Sequence, residues 1–191
     1  MSESSVSKRL RFSWLVSYQG VWFLGVYGVL SGALGVGSGV LFAWGVLRSI
    51  CGGSRRKTFF SLSVESALLG YCFDSLLVSV GAISFPVALQ LGGPSPLWMV
   101  ALWFAFGAAF EDGFGWLRGR ARVAALLGVF GGSAAYWGGA RLGALSFPNG
   151  VSYGLALTGG CWGLAFPALL ARLASHEAAR ERRGQGLEAD P

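Results

Sequence analysis

One histidine, three cysteines and nine acidic residues are all that this 191-residue chain offers to metal, redox or acid–base chemistry. Membrane di-iron desaturases, bis-haem cytochromes and intramembrane metalloproteases need several histidine ligands. The single histidine, His176, lies beyond the last apolar stretch, so these classes are excluded. A serine protease of the membrane-embedded kind needs serine and histidine together. Ser133, in Gly131-Gly132-Ser133, has no histidine within its part of the chain. Cys51, Cys72 and Cys161 show neither metal nor redox spacing and are expected to be reduced thiols packing as small apolar groups. No phosphate-binding glycine loop is present. No cofactor is expected, and the balance leans against an enzyme.

Charge is scarce as well. Only 13% of residues are charged against 53% hydrophobic, with mean hydropathy +0.56. Six apolar blocks fall between the polar breaks, at residues 12–30, 32–47, 60–83, 97–117, 123–140 and 151–171. A membrane-spanning helix needs about 20 mostly apolar residues, so these blocks leave no room for a soluble catalytic domain. The expected fold is an all-α, six-transmembrane-helix bundle: a segment 1–11, a membrane domain 12–173 and a tail 174–191. Residues 12–47 carry no charge, which is too long for a signal peptide, and no small-residue cleavage site follows a short apolar core. Gly28, Ser31, Gly32 and Gly35 mark a turn inside this stretch. The block 32–47 is short, so a re-entrant hairpin is the alternative to a full crossing.

The few cations are placed with a strong bias. Threaded from a cytoplasmic N-terminus, Lys8, Arg9, Arg11, Arg48, Arg55, Arg56, Lys57, Arg118, Arg120, Arg122, Arg172, Arg180, Arg182 and Arg183 all fall inside. Only Arg141 falls outside. Such a lysine and arginine excess sets orientation in membrane proteins, so both termini are expected in the cytoplasm of a multi-pass inner-membrane protein. The net charge of +6 is then explained by this arrangement and by anionic lipid at the inner leaflet, not by nucleic acid. Trp14, Trp44 and Trp116 fall near inner boundaries and Trp98 and Trp137 near outer ones, while Trp22, Trp103 and Trp162 lie deeper, as packing or lipid contacts. Pro167 is expected to disturb the last span, and the chain from Gly184 onward to be disordered.

Glycine is abundant, at 31 residues, and recurs at helical spacing. Ala121, Ala125, Gly128, Gly132, Ala135 and Gly139 draw one small-residue stripe; Gly28/Gly32, Gly35/Gly39 and Gly159/Gly163 repeat it. Such faces let helices approach closely in lipid, within the bundle or with a membrane-protein partner or second copy. Six spans also suit a three-plus-three inverted repeat, but the halves share no convincing similarity.

An acid inside a span is costly and is a functional candidate by default. Glu65 is expected to reach Arg55, Arg56 or Lys57. Glu111 and Asp112 are expected to form an interfacial pair held by Arg118 and Arg122. Asp74 lies near the middle of the third block beside Ser75, with no cation at its depth. It must be protonated or meet donors from another helix, and Gly70 and Gly81 on its face admit a neighbour. Asp74 and Glu65, nine residues apart, lie on nearly opposite faces. The candidate intramembrane polar site is Asp74 and Ser75, reached by Gln19, Glu111, Asp112 or Tyr136.

Ordered motifs carry a resemblance: Gln19 to Phe23 (Q-G-V-W-F), Gly70 to Gly81 around Asp74-Ser75, Pro96-Leu97-Trp98 with Leu102-Trp103, and Trp116-Leu117-Arg118-Gly119-Arg120. Ala124 to Gly143, including Tyr136 and the Gly-Ala-Arg-Leu-Gly-Ala run, and Trp162 to Leu169 complete the series. With these, the chain resembles the bacterial inner-membrane family known as domain of unknown function 2878. The resemblance implies no established activity, but it implies a link with fatty-acid modification. Where many relatives have Asn-His-Ser, this chain has Glu111-Asp112-Gly113, so a role needing that histidine is lost. The resulting expectation is an accessory protein of membrane or fatty-acid metabolism in contact with membrane lipids. A small proton-coupled or solute transporter and a structural subunit of a membrane complex are the alternatives.

Overall fold

The computed structural model describes residues 3–86 and 93–188, with the side chains of 3–9, 183, 184 and 186–188 excepted. The side chains of Lys8, Arg9 and Arg183, residues 87–92 of the loop expected to be the first outer one, and the end of the tail (189–191) therefore lie outside the described residues. The described residues form six α-helices: α1 (Glu3–Leu30), α2 (Leu34–Ile50), α3 (Arg56–Ser79), α4 (Leu97–Phe114), α5 (Ala121–Arg141) and α6 (Val151–Glu188). Short 3₁₀ turns at Gly53–Arg55 and Gly115–Leu117 join α2 to α3 and α4 to α5. Each apolar block has become one helix. Among the described residues, four stretches are long and apolar enough to cross a membrane: Gly53–Ser79, Leu97–Leu117, Ala121–Arg141 and Val151–Arg182. These lengths suit a membrane protein. α2, with 17 residues, is shorter, at about 25 Å of helical rise.

α4 is the hub. Up to Phe110 its sequence is apolar all round, as a fully buried helix must be, and Ala101, Ala105, Ala108 and Phe110 are completely enclosed. It packs against α1, α2, α3 and α6, while α5 leans mainly on α6. Glycines set these distances. A Cβ at Gly37 would lie 2.6 Å from the Gly25 carbonyl, which is how α1 and α2 close into a tight antiparallel hairpin. The turn itself is Ser31–Ala33, where Gly32 takes φ +85°; Gly28 and Gly35 belong to the helices. On the α5–α6 contact, Gly128 faces the Trp162 backbone and Gly163 faces Val129. The small-residue stripe is thus occupied within the chain.

The two ends of the bundle differ chemically. At one, the loops after α3 and α5 are tied by paired backbone hydrogen bonds, Ser84 N to Ser146 O at 2.9 Å and Ser146 N to Ser84 O at 2.8 Å. At the other, Arg48, Arg55 and Arg118 meet Glu111, Asp112 and Glu177. Two expectations need correction here. α6 runs through Pro167 and on to Glu188, so the segment from Gly184 to Glu188 is helical instead of disordered; the Ala-, Glu- and Arg-rich sequence before it favours helix, and Gly184 and Gly186 each cost only about 1 kcal/mol. Glu65 does not meet Arg55, Arg56 or Lys57. It bonds Arg172 (2.6 Å) and lies 3.1 Å from His176 Nε2, because its face of α3 turns toward α6.

Candidate functional site

Asp74 is fully buried, and a buried carboxyl is tolerable only if donors surround it. Two helices supply them. Trp103 of α4 donates its indole N–H to Oδ2 at 3.1 Å, and Tyr136 of α5 donates its hydroxyl to Oδ1. None of the ion pairs among the described residues involves Asp74. Of the two alternatives for Asp74, donors from other helices are present; of the two glycines expected to admit a neighbouring helix on its face, Gly70 does so, whereas Gly81 lies beyond the end of α3, in a turn against Asn149. A Cβ on Gly70 would overlap the Trp103 ring, so only glycine lets that indole lie flat on α3. Trp162 of α6 completes the cluster, stacked on Trp103 with centroids 4.2 Å apart and planes 15° from parallel. Gly132 makes the same kind of space for Trp162.

The cluster is nearer one end of the bundle than the sequence suggested. α3 stops at Ser79, not at residue 83, so Asp74 stands five residues from its end. Tyr136 is five residues from the end of α5, and Trp103 six from the start of α4. All three therefore lie within about 9 Å of the Ser84–Ser146 end.

Trp103, Tyr136 and Trp162 form part of the wall of a cavity of about 470 Å³. This is within the range of pockets that bury a small molecule. It runs along α4 from Trp98 past Leu102 and Phe106 to Phe114, a distance of about 24 Å at helical rise. Leu15, Tyr18, Gln19, Trp22 and Val26 of α1 form a second wall, and Leu127, Gly131, Gly132, Ala135 and Gly139 of α5 a third. α1 packs on α2 and α4, whereas α5 packs on α6, so no extended contact closes the space between α1 and α5. Gln19, Leu127, Gly131 and Ala135 both line the cavity and are exposed, which places its mouth on the side of the bundle. Among the described residues, no Asp, Glu, Lys or Arg is in the wall.

The structure divides the predicted site residues. Asp74 and Tyr136 are bonded to one another, and Gln19 shares the cavity that Tyr136 lines. Ser75 is half-buried, and its hydroxyl has no hydrogen-bond partner among the described residues. Glu111 and Asp112 are elsewhere, at the charged end. Asp112 is paired with Arg48 at 2.7 Å, and Glu111 with Arg55 and more distantly with Arg118 at 3.7 Å. Arg122 takes no part in these pairs, because α5 starts beyond the turn that carries Arg118. Arg118 also clamps Glu177 at 2.5 Å. Ser133 gives its hydroxyl to the Leu155 carbonyl at 3.1 Å, a helix-to-helix bond without catalytic geometry.

Sequence reasoning missed Trp103 as a polar partner and Arg48 as a buried one. The first could have been suspected from Gly70, one turn before Asp74, since an acid beside a gap needs a large donor. The second sits in the last turn of α2, the helix adjoining α4.

Among the described residues, no group of three or more His, Cys, Asp or Glu side chains could hold a metal ion. No curated protein and no solved structure matches the chain. The family described as "Protein of unknown function (DUF2878)" matches it over residues 12–168, as the ordered motifs from Gln19 to Leu169 led us to expect, and the chain belongs to that family.

Proposed function

We propose that this chain is a six-span protein of the bacterial inner membrane that holds one hydrocarbon chain of a lipid, as an accessory protein of lipid metabolism. Both termini are cytoplasmic in this reading, and the 174–191 tail is a basic extension at the inner face. The observation that carries it is the cavity: long, uncharged and open sideways between α1 and α5. An opening on the flank of a bundle exchanges with lipid, not water, and a narrow apolar space about 24 Å long suits one extended chain. Its wall is largely aromatic and aliphatic, so hydrocarbon fills it without desolvating polar groups. The concentration of Arg48, Arg55 and Arg118 at one end supports the inward orientation of that end.

Proton-coupled transport through Asp74 draws less support. The carboxyl is fully buried behind Tyr136 and Trp103 and is not part of the cavity wall. It acts as a positioning residue that fixes two wall side chains.

The test is a deletion strain complemented with wild type or with Gly131→Trp, followed by profiling of membrane acyl chains. A Cβ at Gly131 meets nothing within 4 Å, so a large side chain there grows into the mouth. Deletion should change the acyl profile; wild type should restore it and Gly131→Trp should not. An unchanged profile on deletion refutes the proposal.

A further inference from the structure

A second, smaller cavity of about 70 Å³ lies at the charged end, between α1, α2 and the 3₁₀ turn into α3. At about 30 Å³ per water molecule it has room for about two, and hence for one compact polyatomic group. Three arginines from three separate elements line it: Arg11 of α1, Arg48 of α2 and Arg55 of the turn. Asp112 of α4 is the single acid in the lining, and its Oδ2 takes both Nε and Nη2 of Arg48 at 2.7 Å. Glu111, outside the lining, takes Arg55. Arg11 is exposed and enters no ion pair among the described residues. Positive charge is therefore in excess around the cavity, and an anion held there relieves the repulsion among the guanidiniums.

Two of these guanidiniums are already fixed in place. The Cζ of Arg48 lies 3.8 Å from the centroid of Phe59 and 5.0 Å from that of Trp14, and Arg55 lies 5.5 Å from the same Phe59 ring. Side chains ordered in advance by rings and carboxylates lose little further freedom on binding. Guanidinium forks match phosphate oxygens, two N–H bonds at a time. Basic pockets between helices at the membrane surface hold phospholipid heads in this way. Leu10 and Trp14 make the rest of the wall partly apolar, which suits a phosphate that carries acyl chains.

We propose that this cavity is a phosphate site, in which Arg11, Arg48 and Arg55 together bind one phosphate group. Two sources present that chemistry: the headgroup of an anionic phospholipid and free inorganic phosphate. The site shares no lining residue with the long cavity between α1 and α5, so it does not depend on what fills that one. Diffuse attraction of lipid to surface cations would treat Arg11 like any other exposed arginine at this end. Arg56 is such a residue: exposed, outside the lining and without an ion pair among the described residues.

The experiment compares wild type, Arg11→Gln and Arg56→Gln as purified full-length proteins in neutral detergent. Native mass spectrometry measures binding of phosphatidylglycerol and of diacylglycerol with the same chains, and equilibrium dialysis measures radiolabelled inorganic phosphate without lipid. Both variants should melt like wild type, since neither arginine holds an ion pair. Wild type should bind phosphatidylglycerol more tightly than diacylglycerol, or bind free phosphate. Arg11→Gln should weaken that binding by about tenfold, the worth of one charge-assisted hydrogen bond, and Arg56→Gln should leave it unchanged. Arg11-dependent binding of phosphate without lipid assigns the site to the free anion; Arg11-dependence seen only with phosphatidylglycerol assigns it to the lipid. Equal losses in the two variants, or binding of neither ligand that responds to Arg11→Gln, overturns the proposal.

Discussion

Tyr136 gives its hydroxyl hydrogen to Asp74 across 62 residues of chain, joining α5 to α3 through a bond enclosed on all sides. Trp103 binds the other carboxyl oxygen, so three helices converge on one buried acid. The arrangement fixes the ring positions that shape the cavity wall.

This bond predicts strong coupling. Asp74→Leu strands two buried donors, each worth about 1–3 kcal/mol when unmatched. Tyr136→Phe removes one of them. A thermal-denaturation double-mutant cycle in detergent should give a coupling energy of about 1–3 kcal/mol, with Asp74→Leu less damaging in the Tyr136→Phe background. Additive effects would show that the pair is not a unit.

Glycine substitutions should separate by location. Gly70→Ala and Gly132→Ala drive a methyl into the Trp103 and Trp162 rings and should destabilise by about 1–3 kcal/mol. Gly131→Ala meets open space one residue away and should be neutral or slightly stabilising, by up to about 1 kcal/mol, through helix propensity. Melting temperatures of the three purified variants decide this.

At the charged end, the Arg48–Asp112 pair is nearly sealed, with side chains 4% and 0% exposed. Arg48→Ala leaves a buried carboxylate alone and should cost about 3–5 kcal/mol. Arg48→Met combined with Asp112→Leu should recover most of that loss, since an apolar pair of similar volume often replaces a buried ion pair without penalty. The Arg118–Glu177 pair is more than 30% exposed on both sides, and Glu177→Ala should cost at most about 1 kcal/mol.

Orientation is checked with a membrane-impermeant maleimide on whole cells. Cys51, exposed in the turn after α2, should be protected, while a cysteine replacing the exposed Asn149 should react. Reaction of Cys51 in intact cells, with Asn149→Cys protected, would invert the proposed topology.

The six helices were legible because their apolar blocks are separated by glycine, proline and arginine, which are strong local signals. Asp74 stood out for a similar reason: an acid without a cation at its depth is rare. Its partners were less legible. α4 is apolar on every face up to Phe110, so periodicity does not say which of its indoles points at α3. Glu65 illustrates the same limit, since nearby Arg55 seemed a natural partner while the actual one, Arg172, is 107 residues away. Glu111 and Asp112 were grouped with Asp74 by their chemistry; the α4 helix carries them to the opposite end of the bundle from Trp103, some eight or nine residues away, or about 13 Å. The cavity itself could not be read from the sequence, because it arises from α1 and α5 standing apart.

The lipid-holding cavity is best tested by organic extraction and mass spectrometry of lipid from the purified protein after exhaustive detergent exchange. About one single-chain equivalent should be retained per wild-type protein and little or none on Gly131→Trp, with both proteins melting alike. Equal retention by the two, or none by either, would contradict a lipid chain seated between α1 and α5.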